Sequence, residues 1–171
     1  IGRTMPSAAP EIRPYRESDW RTVWPLLQAT FTAADTYMFS PQSSEAEIHK
    51  AWIELPTSTF VACDADGRIL GTYYLKPNQP GLGAHVCNCG YVVAPAAQGR
   101  GIATAMCEHS QAAGKAHGFR AMQFNSVVAT NERAIRLWQK LGFAIVGRLP
   151  GAFHFKSREY VDALVMFKEL A

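Results

Sequence analysis

The chain has 171 residues, of which 48% are hydrophobic and 18% charged, enough apolar material for one globular domain and too much for a disordered one. Seventeen Lys and Arg against 14 Asp and Glu leave a formal charge of +3, scattered rather than gathered in a basic stripe, which argues against nucleic acid as a partner. No apolar run approaches the roughly 20 residues needed to cross a bilayer, and no secretion signal opens the sequence, so no membrane partner and a cytoplasmic location are expected.

Ile1-Gly2-Arg3-Thr4 ahead of Met5 reads as the remnant of an expression tag, residues 1–9 as a flexible N-terminus and 10–171 as a single domain. A first strand is expected at 12–14. A helix over 17–31 follows, because Trp20, Val23, Trp24, Leu27 and Phe31 recur at helical spacing. After a turn-prone, aromatic loop, Ser44 and Glu47 form a capping box that starts a second helix over 44–55. Runs at 59–63 and 69–75 flank Asp64-Ala65-Asp66-Gly67 as a hairpin, and 84–93 adds a third strand that stops at Pro95. The Ala-rich, proline-free stretch 99–117 is a helix ending at Gly118. Next come a strand at 121–128, a helix at 131–141 stopped by Gly142, and two closing strands at 144–146 and 161–167. The order βααβββαβαββ is that of an α/β protein with one mixed sheet.

Four cysteines invite a metal or redox reading, but Cys87 and Cys89 are separated by one residue where zinc and thiol-redox motifs use two. On a strand that spacing puts both on one face, as small core hydrophobes, and no metal is expected.

Chemistry concentrates where the strand ending Val92-Val93-Ala94-Pro95 gives way to Gln98-Gly99-Arg100-Gly101-Ile102-Ala103 at the start of a helix. The first N–H groups of a helix have no intrahelical partner and the dipole is positive there, so a pyrophosphate is a natural guest; glycines let the backbone approach it and Arg100 adds a cation. A nucleotide P-loop would need Gly-Lys-Ser/Thr, which is absent. A dinucleotide fingerprint fails at Thr104 and lacks its acidic residue about 20 positions on. An ordinary strand-to-helix turn remains the alternative.

A second segment, Asn131 to Phe143, changes the balance. Together the two segments resemble the GNAT superfamily of acetyl-coenzyme A-dependent N-acetyltransferases. Gln98, Gly101 and Ala103 match the family's Gln/Arg-x-x-Gly-x-Gly/Ala, and Asn131, Ala134, Leu137, Lys140, Gly142 and Phe143 match its Asn-x-x-Ala-x-x-Leu-Tyr-x-Lys-x-Gly-Phe. The resemblance implies a mostly antiparallel sheet of about seven strands with helices on both faces. It also implies acetyl-CoA as co-substrate, with its pyrophosphate on the backbone of Gln98, Gly99, Arg100, Gly101, Ile102 and Ala103. The pantetheine arm would lie between strands splayed near Val93 and Asn125, with Asn131 bonded to it, Ala134 leaving room and Trp138 alongside. An amine then attacks the thioester directly, and an N–H near Val93 polarises the carbonyl.

The chain departs from the family at Trp138, where a tyrosine usually serves as general acid; an indole N–H donates a hydrogen bond but not a proton near neutral pH. The strand before the turn offers His85, Asn88 and Tyr91 in place of a carboxylate base. Catalytic groups are therefore unassigned, with Tyr160 or water as substitute acids. Asp35, Thr36 and Tyr37, with Asn88 and Tyr160, are the expected acceptor contacts. Asp162 is read as structural. The resemblance implies as acceptor a small amine or amino acid, or a protein N-terminus or lysine; compact size and the aromatic loop look most similar to bacterial enzymes that acetylate small amino-acid-like molecules, including phosphinothricin, and the resemblance implies a homodimer. The competing reading keeps the cofactor without the catalysis, as an acyl-CoA-binding or sensing module.

Overall fold

A computed structural model describes residues 8–170; the tag-like opening at 1–4 and most of the expected flexible stretch lie outside the described residues. Seven strands form one sheet in the order β1-β2-β3-β4-β5-β7-β6. They are β1 (Glu11–Pro14), β2 (Ser58–Cys63), β3 (Ile69–Pro77), β4 (Val86–Val93), β5 (Ala121–Val128), β6 (Ala144–Phe155) and β7 (Glu159–Glu169). Every pairing is antiparallel except β4 with β5. Parallel neighbours need a crossover, and α3 (Ile102–Ala116) supplies it.

Helices cover both faces. Alternation along β3 and β4 sends Tyr73, Leu75, Cys87, Cys89 and Tyr91 into one core with Met106 and Cys107 of α3. It sends Tyr74 and Val92 into a second core with Val23, Leu27 and Phe31 of α1 (Trp20–Ala33) and with Ile48 and Trp52. Cys87 and Cys89 thus share a face as their spacing implies, and all four cysteines are free and buried. Burial pushes the Cys87 thiol up to about 12 and Cys89 well above the usual range, so both stay protonated. Among the described residues no cluster of His, Cys, Asp or Glu is arranged to hold a metal, and no helix is long and apolar enough to cross a membrane.

Four elements differ from expectation. The first helix begins with a 3-10 turn at Glu17–Asp19, because Asp19 is drawn into a bidentate pair with Arg13 (2.8 and 2.9 Å) and accepts from the Arg16 N–H (2.8 Å). The second helix is two pieces: α2 (Glu45–His49), started by the Ser44–Glu47 capping box, continues as a wider π-turn over Lys50–Glu54. The last two strands are far longer than 144–146 and 161–167. Pro150-Gly151 hides β6 from a pattern reading, since proline within a run argues against a strand unless it lies at an edge or a bulge; β6 is an edge strand, and its register breaks between Leu149 and Phe153. Asp162 clamps that irregularity, accepting from the Gly151 N–H at 2.9 Å and from Arg148 at 2.7 Å, which bears out its structural role.

Candidate functional site

The parallel pairing of β4 and β5 lasts two residues, Val86 with Ala121 and Cys87 with Met122, before the strands part into a fork. On the far side of β5 the register with β7 breaks between Phe124 and Val127. Asn88 closes the base of the fork: its Nδ2 donates to the Gln123 carbonyl at 2.9 Å, and its Oδ1 accepts from the Tyr74 hydroxyl at 3.1 Å. Gly90 makes that arrangement possible, because a Cβ there would lie 2.7 Å from Cε1 of Tyr74. Hydrogen bonds fix which edge of β4 faces the fork. The Val86 carbonyl accepts from Asn78 N (2.8 Å) and Ala94 N donates to Leu70 O (2.8 Å), so even-numbered residues bond toward β3. Cys89, Tyr91 and Val93 therefore turn their N–H and C=O groups into the gap.

Beyond the fork the chain turns into α3. Gly99 and Gly101 hold φ of 77° and 78°, a left-handed conformation that suits glycine. Gly101 is the N-cap and has no side chain to offer, and the Ala105 N–H is the donor that reaches back to the Gly101 carbonyl (3.1 Å). The N–H groups of Ile102, Ala103 and Thr104 point out of the helix end, with no side-chain acceptor among the described residues. A Cβ on Gly101 would meet nothing within 4 Å, so the turn opens onto free space.

That space is a cavity of about 660 Å³ between the turn, the start of α4 (Glu132–Lys140) and the loop after α1. Val93, Gln98, Gly99, Gly101, Ile102, Ala103, Asn131, Ala134 and Trp138 line it, with Asp35 and Thr36 opposite. It adjoins a smaller cavity of about 230 Å³ running into the fork, walled by Tyr37, Cys89, Tyr91 and Phe124 and sharing Val93, Asn131, Ala134 and Trp138. The two predicted segments thus meet across one cleft. Asn131 caps α4 through the Ala134 N–H (3.3 Å) while also facing the cleft. Trp138 packs on Tyr91 and Phe124, both at 5.2 Å between ring centroids, so core packing and cleft wall are one role.

Some expected residues sit elsewhere. Arg100 is exposed and is not among the cleft walls; Arg133 is, its guanidinium within 3.5 Å of where a Cβ on Gly99 would lie. No motif residue marks Arg133, although its place between Asn131 and Ala134 in the first turn of α4 is a usable signal. Asn88 is buried with both amide ends bonded and does not reach the cleft. Tyr160 is 71% exposed and stacks on His154 across the β6–β7 hairpin, outside both cavities. The hairpin approaches through its tip instead: Lys156 N donates to the Ala34 carbonyl at 2.8 Å, and Lys156, Ser157 and Arg158 form a third hollow with Asp35.

At the inner end the Tyr37 hydroxyl donates to the Tyr91 carbonyl and accepts from the Tyr91 N–H at 2.6 Å. Burial raises the ionisation of Tyr37 far above the usual phenol range, and Tyr91 likewise, its own hydroxyl lying 2.6 Å from Ser110. The walls of the smaller cavity carry no carboxylate or imidazole.

The model of the "Acetyltransferase (GNAT) family" matches residues 20–143. A GCN5-related N-acetyltransferase from Kribbella flavida is similar in structure, 39% identical with a TM-score of 0.89 over 94% of this chain and 98% of that one. A phosphinothricin acetyltransferase from Sinorhizobium meliloti, solved in complex with AcCoA, is 22% identical with a TM-score of 0.83, over 96% of this chain and 90% of that one, a likeness of fold alone. N-acetyltransferase aca1 of Schizosaccharomyces pombe is 36% identical over 111 residues, 64% of this chain; the chain spans 53% of that relative's length.

Proposed function

The chain belongs to the acetyltransferase (GNAT) family, and from that premise we propose that it moves an acetyl group from acetyl-CoA to the primary amine of a small, amino-acid-like acceptor. Unpaired helix N–H groups behind two left-handed glycines, at the mouth of a cleft that ends in a strand fork, carry this reading. The N–H groups of Ile102, Ala103 and Thr104 and the positive end of α3 hold the pyrophosphate, with Arg133 as the nearer cation and Arg100 as an outer one. Asn131, Ala134 and Trp138 wall the path of the pantetheine arm, and the open edge of β4 at Val93 offers it backbone partners.

Acetyl-CoA supplies, when bound, an acyl group activated as a thioester. The residues of the cleft orient it and exclude water. Asp35 is the carboxylate in the cleft wall and draws a cationic amine toward the acyl end. The amine attacks as the neutral base, forming the C–N bond as the C–S bond breaks. With no carboxylate or imidazole around the smaller cavity, its proton leaves through water and positioning carries most of the acceleration. That same absence favours the alternative, a module that binds acyl-CoA and turns it over weakly. A homodimer is proposed as well: β6 is an outer strand and exposes Ile145, Val146 and Leu149.

Calorimetric titration of acetyl-CoA followed by thiol release across a panel of amines and amino acids tests the reading. Binding with release for at least one small amine supports the enzyme; binding with no release above the uncatalysed rate supports the module; no binding removes both.

A further inference from the structure

Where β5 diverges, β4 keeps a strand edge with no strand beside it. Tyr91 pairs with Tyr73 of β3 on its other side, yet its N–H and C=O both face the fork, buried and in need of partners. One hydroxyl from 54 residues away supplies both: Tyr37 accepts from the N–H and donates to the C=O, the two bonds a neighbouring strand would have made. Because burial keeps this phenol protonated, it retains the hydrogen that the second bond requires. Its ring is held by edge contacts with Phe31 (5.7 Å) and Trp52 (6.2 Å), and its chain segment lies between α1 and α2 without regular secondary structure.

A thioester carbonyl entering the fork seeks a donor, and the Tyr91 N–H at the inner end of the smaller cavity is a strand-edge donor already occupied. Free CoA has the same nucleotide and arm, amide carbonyls included, but no thioester carbonyl at the end of the arm, and so it brings no acceptor to that N–H. We infer that Tyr37 sets the discrimination between acyl-CoA and free CoA: its hydroxyl occupies the seat of the thioester carbonyl and gives it up only when an acyl group arrives. This rests on the reading of the cleft as an acyl-CoA site. Since Asp35 and Thr36 precede Tyr37 directly and line the larger cavity, the displacement also moves the acceptor side of the cleft. Arrival of the acyl donor thereby prepares the acceptor site, and product CoA lets the hydroxyl return.

The test is calorimetric titration of wild type and Tyr37→Phe with acetyl-CoA and, separately, with CoA. Phenylalanine keeps the ring packing and removes the competitor. The expected result is acetyl-CoA affinity raised about fivefold, the equivalent of one net hydrogen bond, with CoA affinity unchanged. Equal changes for both ligands, or a selective loss for acetyl-CoA, overturns the inference and leaves the cleft reading standing. Failure of the wild type to bind either ligand takes both down. If Tyr37→Phe does not fold, hydrogen exchange on the wild type decides: acetyl-CoA but not CoA should speed exchange in residues 35–40, and identical patterns for the two ligands overturn the inference.

Discussion

At the mouth of the cleft, the groups offered to a ligand are backbone N–H groups exposed by Gly99 and Gly101; at its inner end, the corresponding backbone groups of Tyr91 are covered by a side chain from a distant loop. Both ends rest on backbone that lacks a partner within its own element, one at a helix terminus and one at a strand edge. Glycine leaves the first open, whereas Tyr37 closes the second until something displaces it. A phosphate site can stand open because water solvates it, while a buried strand edge needs a partner even when empty.

Substitutions sharpen the contrast. The largest effect is expected for Gly101→Glu, which puts a carboxylate into the open space before the helix N-terminus and strains a left-handed φ; acetyl-CoA affinity should fall at least about 100-fold by calorimetry. Gly90→Ala acts on the fork: its methyl collides with the Tyr74 ring and dislodges the Asn88 bridge, lowering stability by about 2 kcal/mol, seen as a lower urea midpoint with unchanged slope. At the mouth, Arg133→Ala should weaken acetyl-CoA by about three- to tenfold at low salt and Arg100→Ala by less than about twofold, since Arg133 lines the cleft and Arg100 does not. Equal effects would return Arg100 to the role its sequence position suggested.

The smallest effect lies outside the cleft. Hydrogen bonding from Arg13 holds the Asp19 carboxyl below its ordinary value of 3.8, despite some opposing desolvation. A depressed folded-state value adds stability that is present above the unfolded value and lost as pH falls through the folded one. Asp19→Asn should therefore be destabilising at pH 7 and progressively less so below about pH 4, measured by thermal unfolding against pH.

What the residues reveal in advance follows the same division. Gly99, Gly101, Gly118 and Gly142 mark turns because each takes a positive φ, a local demand written at one position. The Ser44–Glu47 box and the alternation of Cys87, Cys89 and Tyr91 are equally local. The π-turn of Lys50–Glu54 has no local mark, and Pro150 conceals β6 because Asp162, eleven residues beyond Gly151, compensates for the broken register. Tyr37 is legible as an aromatic residue near the acceptor and illegible as a cover for Tyr91, since nothing in either segment announces a partner 54 positions away. Asn88 misleads for a related reason: an amide near a predicted cleft looks like a ligand contact, whereas the parting of β4 from β5 needs it as a bridge.

The most direct test is a crystal structure of the chain with acetyl-CoA bound. The account predicts the pyrophosphate on the N–H groups of Ile102, Ala103 and Thr104, the arm between β4 and β5, and the Tyr37 hydroxyl released from Tyr91. Phosphates seated away from the Gly99–Gly101 turn, or an arm that leaves the fork empty, would contradict it.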